Sequence, residues 1–182
     1  APWDVRPLLE QAMQAYGAGA AAQKKLRVSI QVIATETHVL ADSSRITQVF
    51  WNLLQNACKF TPESGEIYVR VYNEFAGSRS AGPEHFGPDL IVEIRDTGIG
   101  ISPETMPRIF NAFEQGERSR TRVFGGLGLG LAISRAIIEL HDGSITAESE
   151  GRNKGAKFII RLQTVESAAV ASARPASRKP GL

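Results

Sequence analysis

Cysteine is almost missing from this chain of 182 residues: Cys58 stands alone, so no intramolecular disulfide can staple the fold. Its neighbours Ala57 and Phe60 mark it as a buried thiol and not a nucleophile, and such sparing use of cysteine is expected of a reducing, cytoplasmic setting. Long apolar runs are missing too. No stretch approaches the ~18 consecutive apolar residues of a membrane span, so a membrane anchor of any full-length protein is expected outside these residues. An excess of one charge is also lacking: 21 basic residues face 19 acidic ones, for a formal net charge of +2. Glu166 to Leu182 hold three of those bases and one of the acids, leaving the body balanced at 18 against 18. With no basic face belonging to the fold, nucleic acid is not an expected partner. Ala1-Pro2-Trp3-Asp4 shows neither a leader pattern nor an initiator Met, as expected of a piece of something longer.

What is present suits one globular domain with a proper core: 42% hydrophobic and 22% charged residues. Asp4 to about Gln23 reads as a capped helix, with Val5, Leu8, Leu9, Ala12 and Met13 at helical spacing. Residues 26–33 alternate as a strand, and Val39-Leu40-Ala41 is a short strand or loop. Asp42 caps a helix over 43–60 whose apolar face is Ile46, Val49, Phe50, Leu53, Leu54, Ala57 and Phe60. Residues 65–95 read as a hairpin with a long connection over 76–88. Pro103 is expected to start a short helix toward Phe110, and 111–125 to form a mobile segment. A helix runs on to about His141, and 143–149 with 156–162 make a last hairpin. Beyond Thr164 the Ala/Ser/Arg/Pro composition is that of a flexible linker. Helices interleaved with a mixed sheet predict an α/β two-layer sandwich.

Three stretches carry candidate chemistry. Phe124 to Ile133 packs Gly125, Gly126, Gly128 and Gly130 ahead of a helix. Glycines admit close backbone approach, and a helix start offers unpaired N–H groups, so the stretch is either a phosphate cradle or a tight turn under a helix. Asn52, Asn56 and Lys59 share one stripe of the 43–60 helix, beside its apolar face. An amide oxygen can ligate Mg²⁺ and an ammonium can meet a phosphate; a solvated helix edge is the plainer reading. Asp96-Thr97-Gly98-Ile99-Gly100 follows an apolar strand, where a carboxylate can accept from an exocyclic amine and glycines can admit a flat ring, or merely make a turn. Arg118, Arg120 and Arg122 lie between Phe113 and Gly125, able to clamp a terminal phosphate or simply solvated.

Taken together these stretches resemble sensor histidine kinases. Asn52 to Pro62 resembles their N box, Asp96 to Ile101 their G1 box, Ile109 to Gln115 their F box and Gly125 to Leu131 their G2 box. Four boxes in the family's order, over roughly 40–162, are far more specific than any one alone. The resemblance implies the Bergerat fold: a mixed sheet of about five strands with three main helices on one face. It implies ATP and Mg²⁺ as ligands, with Asn56 on the metal, Asn52 and Lys59 near the phosphates, and Asp96 on the adenine amine beside Gly98 and Gly100. It implies backbone contacts from Gly126, Gly128, Gly130 and Leu131, and a lid over about 102–125 carrying Arg118 and Arg122. Residues 1–25 would lead in from a dimerisation domain, 26–164 would be the catalytic domain, and 165–182 a flexible tail.

The implied reaction is transfer of the γ-phosphoryl of ATP to a histidine on a separate dimerisation domain. His38, His85 and His141 all lack the family's phosphoacceptor context. The implied partners are that domain and a response regulator or receiver domain, with a homodimeric full-length protein and a monomeric fragment. Two departures matter. Leu127 stands where many members have Thr, which removes a hydroxyl near the phosphates and leaves a non-catalytic docking module open as an alternative. ATP hydrolases of the same fold, such as DNA gyrase, MutL and heat-shock chaperones, carry Glu four residues before the metal-binding Asn. This chain has Asn52 there, and an amide is no general base.

Overall fold

A computed structural model of the chain describes residues 1–17, 20–75, 87–112 and 128–165. A short strand, β1 (Pro2–Asp4), passes straight into α1 (Val5–Gly17), followed by the single turn α2 (Ala20–Gln23). Asp4 caps α1 as expected, its Oδ1 accepting from the Arg6 N–H at 3.0 Å. Next come β2 (Arg27–Val32), β3 (His38–Leu40), α3 (Ser43–Phe60), β4 (Glu66–Glu74) and β5 (Asp89–Asp96). A 3-10 turn at Met106–Arg108, α4 (Gly130–Glu139), β6 (Ser144–Glu148) and β7 (Ala156–Gln163) complete the described order.

Five strands form one mixed sheet in the order β2-β4-β5-β7-β6. Among the described strands only β2 and β4 pair in parallel, because the connection between them carries α3 and a crossover needs such a length. The other three pairings are antiparallel. β1 and β3 make a separate antiparallel ribbon. It is tied to the end of β7 by the Val39–Thr164 bridge and by Val165 N–H donating to His38 O at 2.8 Å.

The core lies between the sheet and the helices. Ile67, Val69 and Val71 of β4 share it with Leu90, Val92 and Ile94 of β5 and with Phe158, Ile160 and Leu162 of β7. Against them pack Ile46, Val49, Phe50, Leu53, Leu54, Ala57 and Cys58 of α3, Ile137 and Ile138 of α4, and Val5, Leu8, Leu9 and Ala12 of α1. α3 is where the sequence pattern and the fold agree most closely. Asp42 Oδ1 accepts from Ser44 N–H at 3.0 Å and from Arg45 N–H at 3.2 Å, a cap worth about 1 kcal/mol. Thr61 closes the other end through its N–H and its hydroxyl, both donating to Ala57 O, and Pro62 prevents continuation.

One expected helix shortens, and one expected strand forms but stays half uncovered. The helix expected from Pro103 to Phe110 shortens to the 3-10 turn at Met106–Arg108. Two of its bonds run from i to i−3, Arg108 N–H to Thr105 O and Asn111 N–H to Arg108 O, both at 2.9 Å. Pro107 has no N–H to extend a helical ladder. Strand β2 does place Val28, Ile30 and Val32 in register with Ile67, Val69 and Val71. They nevertheless stay 40%, 41% and 40% exposed, because β2 is an edge strand with a neighbour on one side only.

Candidate functional site

The stripe on α3 lies along the rim of the core. Asn52, Asn56 and Lys59 are all half-buried, while Leu53, Leu54, Ala57 and Cys58 between them are buried in the core. Asn52 reaches across to α4: its Nδ2 donates to Gly130 O and to Ser134 Oγ, each at 3.3 Å. Ser134 Oγ itself donates to Gly130 O at 2.8 Å. The last residue of the glycine stretch is thereby fixed to α3, and a Cβ built on Gly130 would stand 3.8 Å from the Asn52 carboxamide carbon. Gly128, at φ +68°, makes the left-handed step into α4, whose first residue no side chain caps. Leu131 is half-buried and packs on the core from the first turn of α4. Asn56 forms no side-chain hydrogen bond to another described residue. Lys59 lies with its ammonium 5.0 Å from the Phe60 ring centre, and burial holds it below the ordinary lysine value.

The C-terminal end of α3 is closed by a residue that the sequence pattern did not single out. Lys24 Nζ donates to the carbonyls of Cys58, Lys59 and Thr61, each at 2.9 Å. A cation at the negative end of a helix, saturating its orphan carbonyls, fixes the turn that carries Lys59. Phe60 O, the carbonyl left over, accepts the Ile99 N–H at 3.1 Å. The end of α3 and the loop after β5 are therefore joined by a backbone hydrogen bond.

Asp96 lies at the end of β5 and is 5% exposed. Its Oδ1 accepts from the Gly98 N–H at 2.8 Å and the Ala156 N–H at 3.3 Å, while Oδ2 has no hydrogen-bond partner among the described residues. Burial raises this carboxyl above its ordinary value, and those two N–H groups pull it back in part. Gly98 lies so close to the end of α3 that a Cβ would sit 2.5 Å from Phe60 O and 2.7 Å from Asp96 Oδ1. Gly100 has φ +69° and backs onto Gly151, where a Cβ would come within 2.0 Å of the Gly151 oxygen. Beneath the loop runs the β6–β7 turn. Gly155, also at φ +70°, donates its N–H to Gly98 O at 3.1 Å, and Asn153 N–H donates to Ile99 O at 2.7 Å. Ser149 Oγ accepts from the Ile101 N–H at 3.0 Å and donates to Gly155 O at 2.6 Å. Neither Ser149 nor Gly155 was singled out in the sequence; the Gly151-to-Gly155 spacing marks a turn, not its contact with Asp96.

Of the candidate site residues, Asn52, Asn56, Lys59, Asp96, Gly98, Gly100, Gly128, Gly130 and Leu131 thus lie along the α3 rim, the β5 loop and the start of α4. Gly126, Leu127, Arg118, Arg120 and Arg122, with most of the expected lid, fall outside the described residues. Phe110 is inside them and meets Phe158 edge-on, ring centres 6.4 Å apart. His141 is taken up by structure. Its Nε2 accepts from the Asp42 N–H at 3.0 Å and its Nδ1 lies 2.7 Å from Ile137 O, joining the two helices at their far ends.

The donor set fits a nucleotide and a hard cation. Among the described residues a buried carboxylate keeps one oxygen unpartnered, an amide oxygen is unengaged on the same rim, and glycines keep the walls at backbone thickness.

A family model described as "Histidine kinase-, DNA gyrase B-, and HSP90-like ATPase" matches residues 41–166. The chain is similar to a hybrid signal transduction histidine kinase D of Dictyostelium discoideum, 37% identical over 141 residues. That match takes in 71% of this chain but only 9% of the relative's length. Among solved structures it superposes on the catalytic domain of histidine kinase ThkA, nucleotide-free, with a TM-score of 0.72 and 25% identity, covering 90% of this chain and 95% of that one. It also superposes on full-length ShkA in complex with AMPPNP, with a TM-score of 0.70 and 28% identity, covering 92% of this chain and 32% of that one. The mixed five-strand sheet with helices on one face is the architecture these neighbours share with it.

Proposed function

This chain belongs to the family of histidine kinase-, DNA gyrase B- and HSP90-like ATPases, and we propose that within it the chain acts as the ATP-binding catalytic domain of a sensor histidine kinase. The observation that carries the reading is Asp96: buried, with Oδ1 held by two backbone N–H groups and Oδ2 turned to no partner among the described residues. Such an atom suits the exocyclic amine of adenine, and burial makes that bond strong. The complex of the similar ShkA with AMPPNP supports the same ligand class.

The parts act as follows. Asp96 accepts from the adenine amine, and Gly98 lets the ring lie against the backbone. Asn56 offers its amide oxygen to Mg²⁺, and Lys59 sets a positive charge toward the phosphates. Bound Mg²⁺ supplies charge neutralisation on the triphosphate. Asn52 holds Gly130 and Ser134, so that the N–H groups at the start of α4 keep their aim. For the terminal phosphate the reading assigns Arg118 and Arg122, and for backbone contacts Gly126, Gly128 and Leu131. Transfer places the γ-phosphoryl in line with an imidazole nitrogen of a separate helical domain; positioning does most of the work. Asn52 supports transfer over hydrolysis, since its amide cannot take a proton from water. The partners in this reading are the dimerisation and phosphoacceptor domain and a response regulator or receiver domain, in a homodimeric full-length protein located in the cytoplasm or held at a membrane from there.

The test mixes this chain with radiolabelled ATP and Mg²⁺, with and without a helical domain bearing the acceptor histidine. Acid-labile, base-stable label is expected on the added domain alone. Stable label on His38, His85 or His141, or rapid phosphate release without an acceptor, overturns the reading.

A further inference from the structure

Resting on the proposed nucleotide site, we infer that Ser149 is a positioning residue that sets the rotation of the Asp96 carboxylate through a single peptide unit. The geometry is a relay. The hydroxyl of Ser149 donates to Gly155 O at 2.6 Å. That carbonyl belongs to the same peptide unit as the Ala156 N–H, which donates to Asp96 Oδ1 at 3.3 Å. A peptide unit is planar, so fixing its oxygen fixes the direction of its N–H. The lone pairs of the same hydroxyl accept the Ile101 N–H at 3.0 Å. One oxygen atom therefore ties the far end of the loop that starts at Asp96 to the turn that lies beneath it. With Oδ1 pinned from two sides, Oδ2 has one direction left to face.

The close packing gives the relay little slack. A Cβ on Gly155 would fall 2.0 Å from Asp96 O, and Gly155 N–H is itself engaged with Gly98 O at 3.1 Å. The peptide cannot turn without moving the β5 loop. Among the described residues no charged side chain contributes to the raised state of Asp96: burial raises it, and the Gly98 and Ala156 N–H groups oppose the rise. By strand alternation Arg95 of β5, Glu66 of β4 and Lys157 of β7 occupy outward positions, while Cys58 and Lys59 near the end of α3, with Lys24 on its last carbonyls, are ionisable groups on the helix side.

The test uses the whole chain and ATP with Mg²⁺, read by calorimetry from pH 5 to 8, with Ser149→Ala and Ser149→Thr beside the unsubstituted protein. Without the hydroxyl the Ala156 N–H is no longer aimed, so Oδ1 loses support for its charge. Ser149→Ala is expected to bind about tenfold more weakly, as for one charge-assisted hydrogen bond, and to lose binding at a higher pH on the acid side. Ser149→Thr keeps the hydroxyl and is expected to keep both the affinity and the acid limb. Ser149→Ala with unchanged affinity and limb, even at a lower Tm, overturns the inference, and so does an equal loss in both variants. If Ser149→Ala does not fold, hydrogen exchange on the unsubstituted chain decides. Matched protection of the Ile101 and Ala156 amides supports the relay, and free exchange at either refutes it. Failure of the unsubstituted chain to bind ATP would instead strike the proposed function itself.

Discussion

Replacing Asp96 by Asn keeps the size and shape of the side chain and changes two things with opposite consequences. The first is recognition. Both groups at Oδ1, the N–H of Gly98 and of Ala156, are donors, so the amide of Asp96→Asn must present its oxygen there and its NH₂ where Oδ2 stood. The loop cannot swing to relieve this, since Gly98 lies against Phe60 O and Gly155 against Asp96 O. A donor then faces the adenine amine. Losing a hydrogen bond to a charged group costs about 1.5–3 kcal/mol, or roughly ten- to a hundredfold in ATP affinity. A 6-oxo purine presents an acceptor at that point, so GTP should bind better than before and the preference for ATP should shrink or invert. The second consequence is stability. Burial raises the Asp96 carboxyl in the folded state, so the folded chain holds its proton more tightly than the unfolded one. Stability from this group is present at low pH and is lost as pH rises from the unfolded value through the folded one. At pH 7 the charge is a burden that Asn removes. The variant should therefore melt at the same or a higher temperature than the original at pH 7, with the advantage gone near pH 4. Calorimetric titration with both nucleotides and melting curves across pH 4–8 check the two arms. Undiminished ATP affinity with unimproved GTP binding refutes the recognition argument, and a lower Tm at pH 7 refutes the electrostatic one.

Other outcomes follow from the same geometry. Lys24→Met removes three bonds to the carbonyls of Cys58, Lys59 and Thr61. It should lower stability by about 1–3 kcal/mol, seen as a lower urea midpoint with an unchanged slope. Gly155→Ala forces a Cβ to within 2.0 Å of Asp96 O at φ +70°; the expected loss is about 2 kcal/mol or more, with ATP binding reduced more than by Ser149→Ala. The Cys58 thiol is pushed up to about 11, mainly by burial. Labelling by a thiol reagent at pH 8 should therefore track opening of the fold and become fast only in denaturant.

The sequence by itself determined the local pieces: a capped α3 from Asp42 to Phe60, the inward alternation of Ile67, Val69 and Val71, and the closing β6–β7 hairpin. These follow from caps, periodicity and proline, which act within a few residues. The family was legible for a related reason, since Asn52, Asn56, Lys59, Asp96 and the glycines stand in compact, ordered boxes. Tertiary structure alone decided how those boxes are held. Lys24 finds the carbonyls at the end of α3 across 34 to 37 positions, and Ala156 finds Asp96 across 60. It also decided that the apolar row of β2 stays half uncovered, because being an edge strand is a property of sheet order and not of pattern. The direction in which Asp96 Oδ2 faces belongs to the same class. It is set by N–H groups from two strand ends that only the folded sheet brings together, and no spacing along the chain encodes an angle.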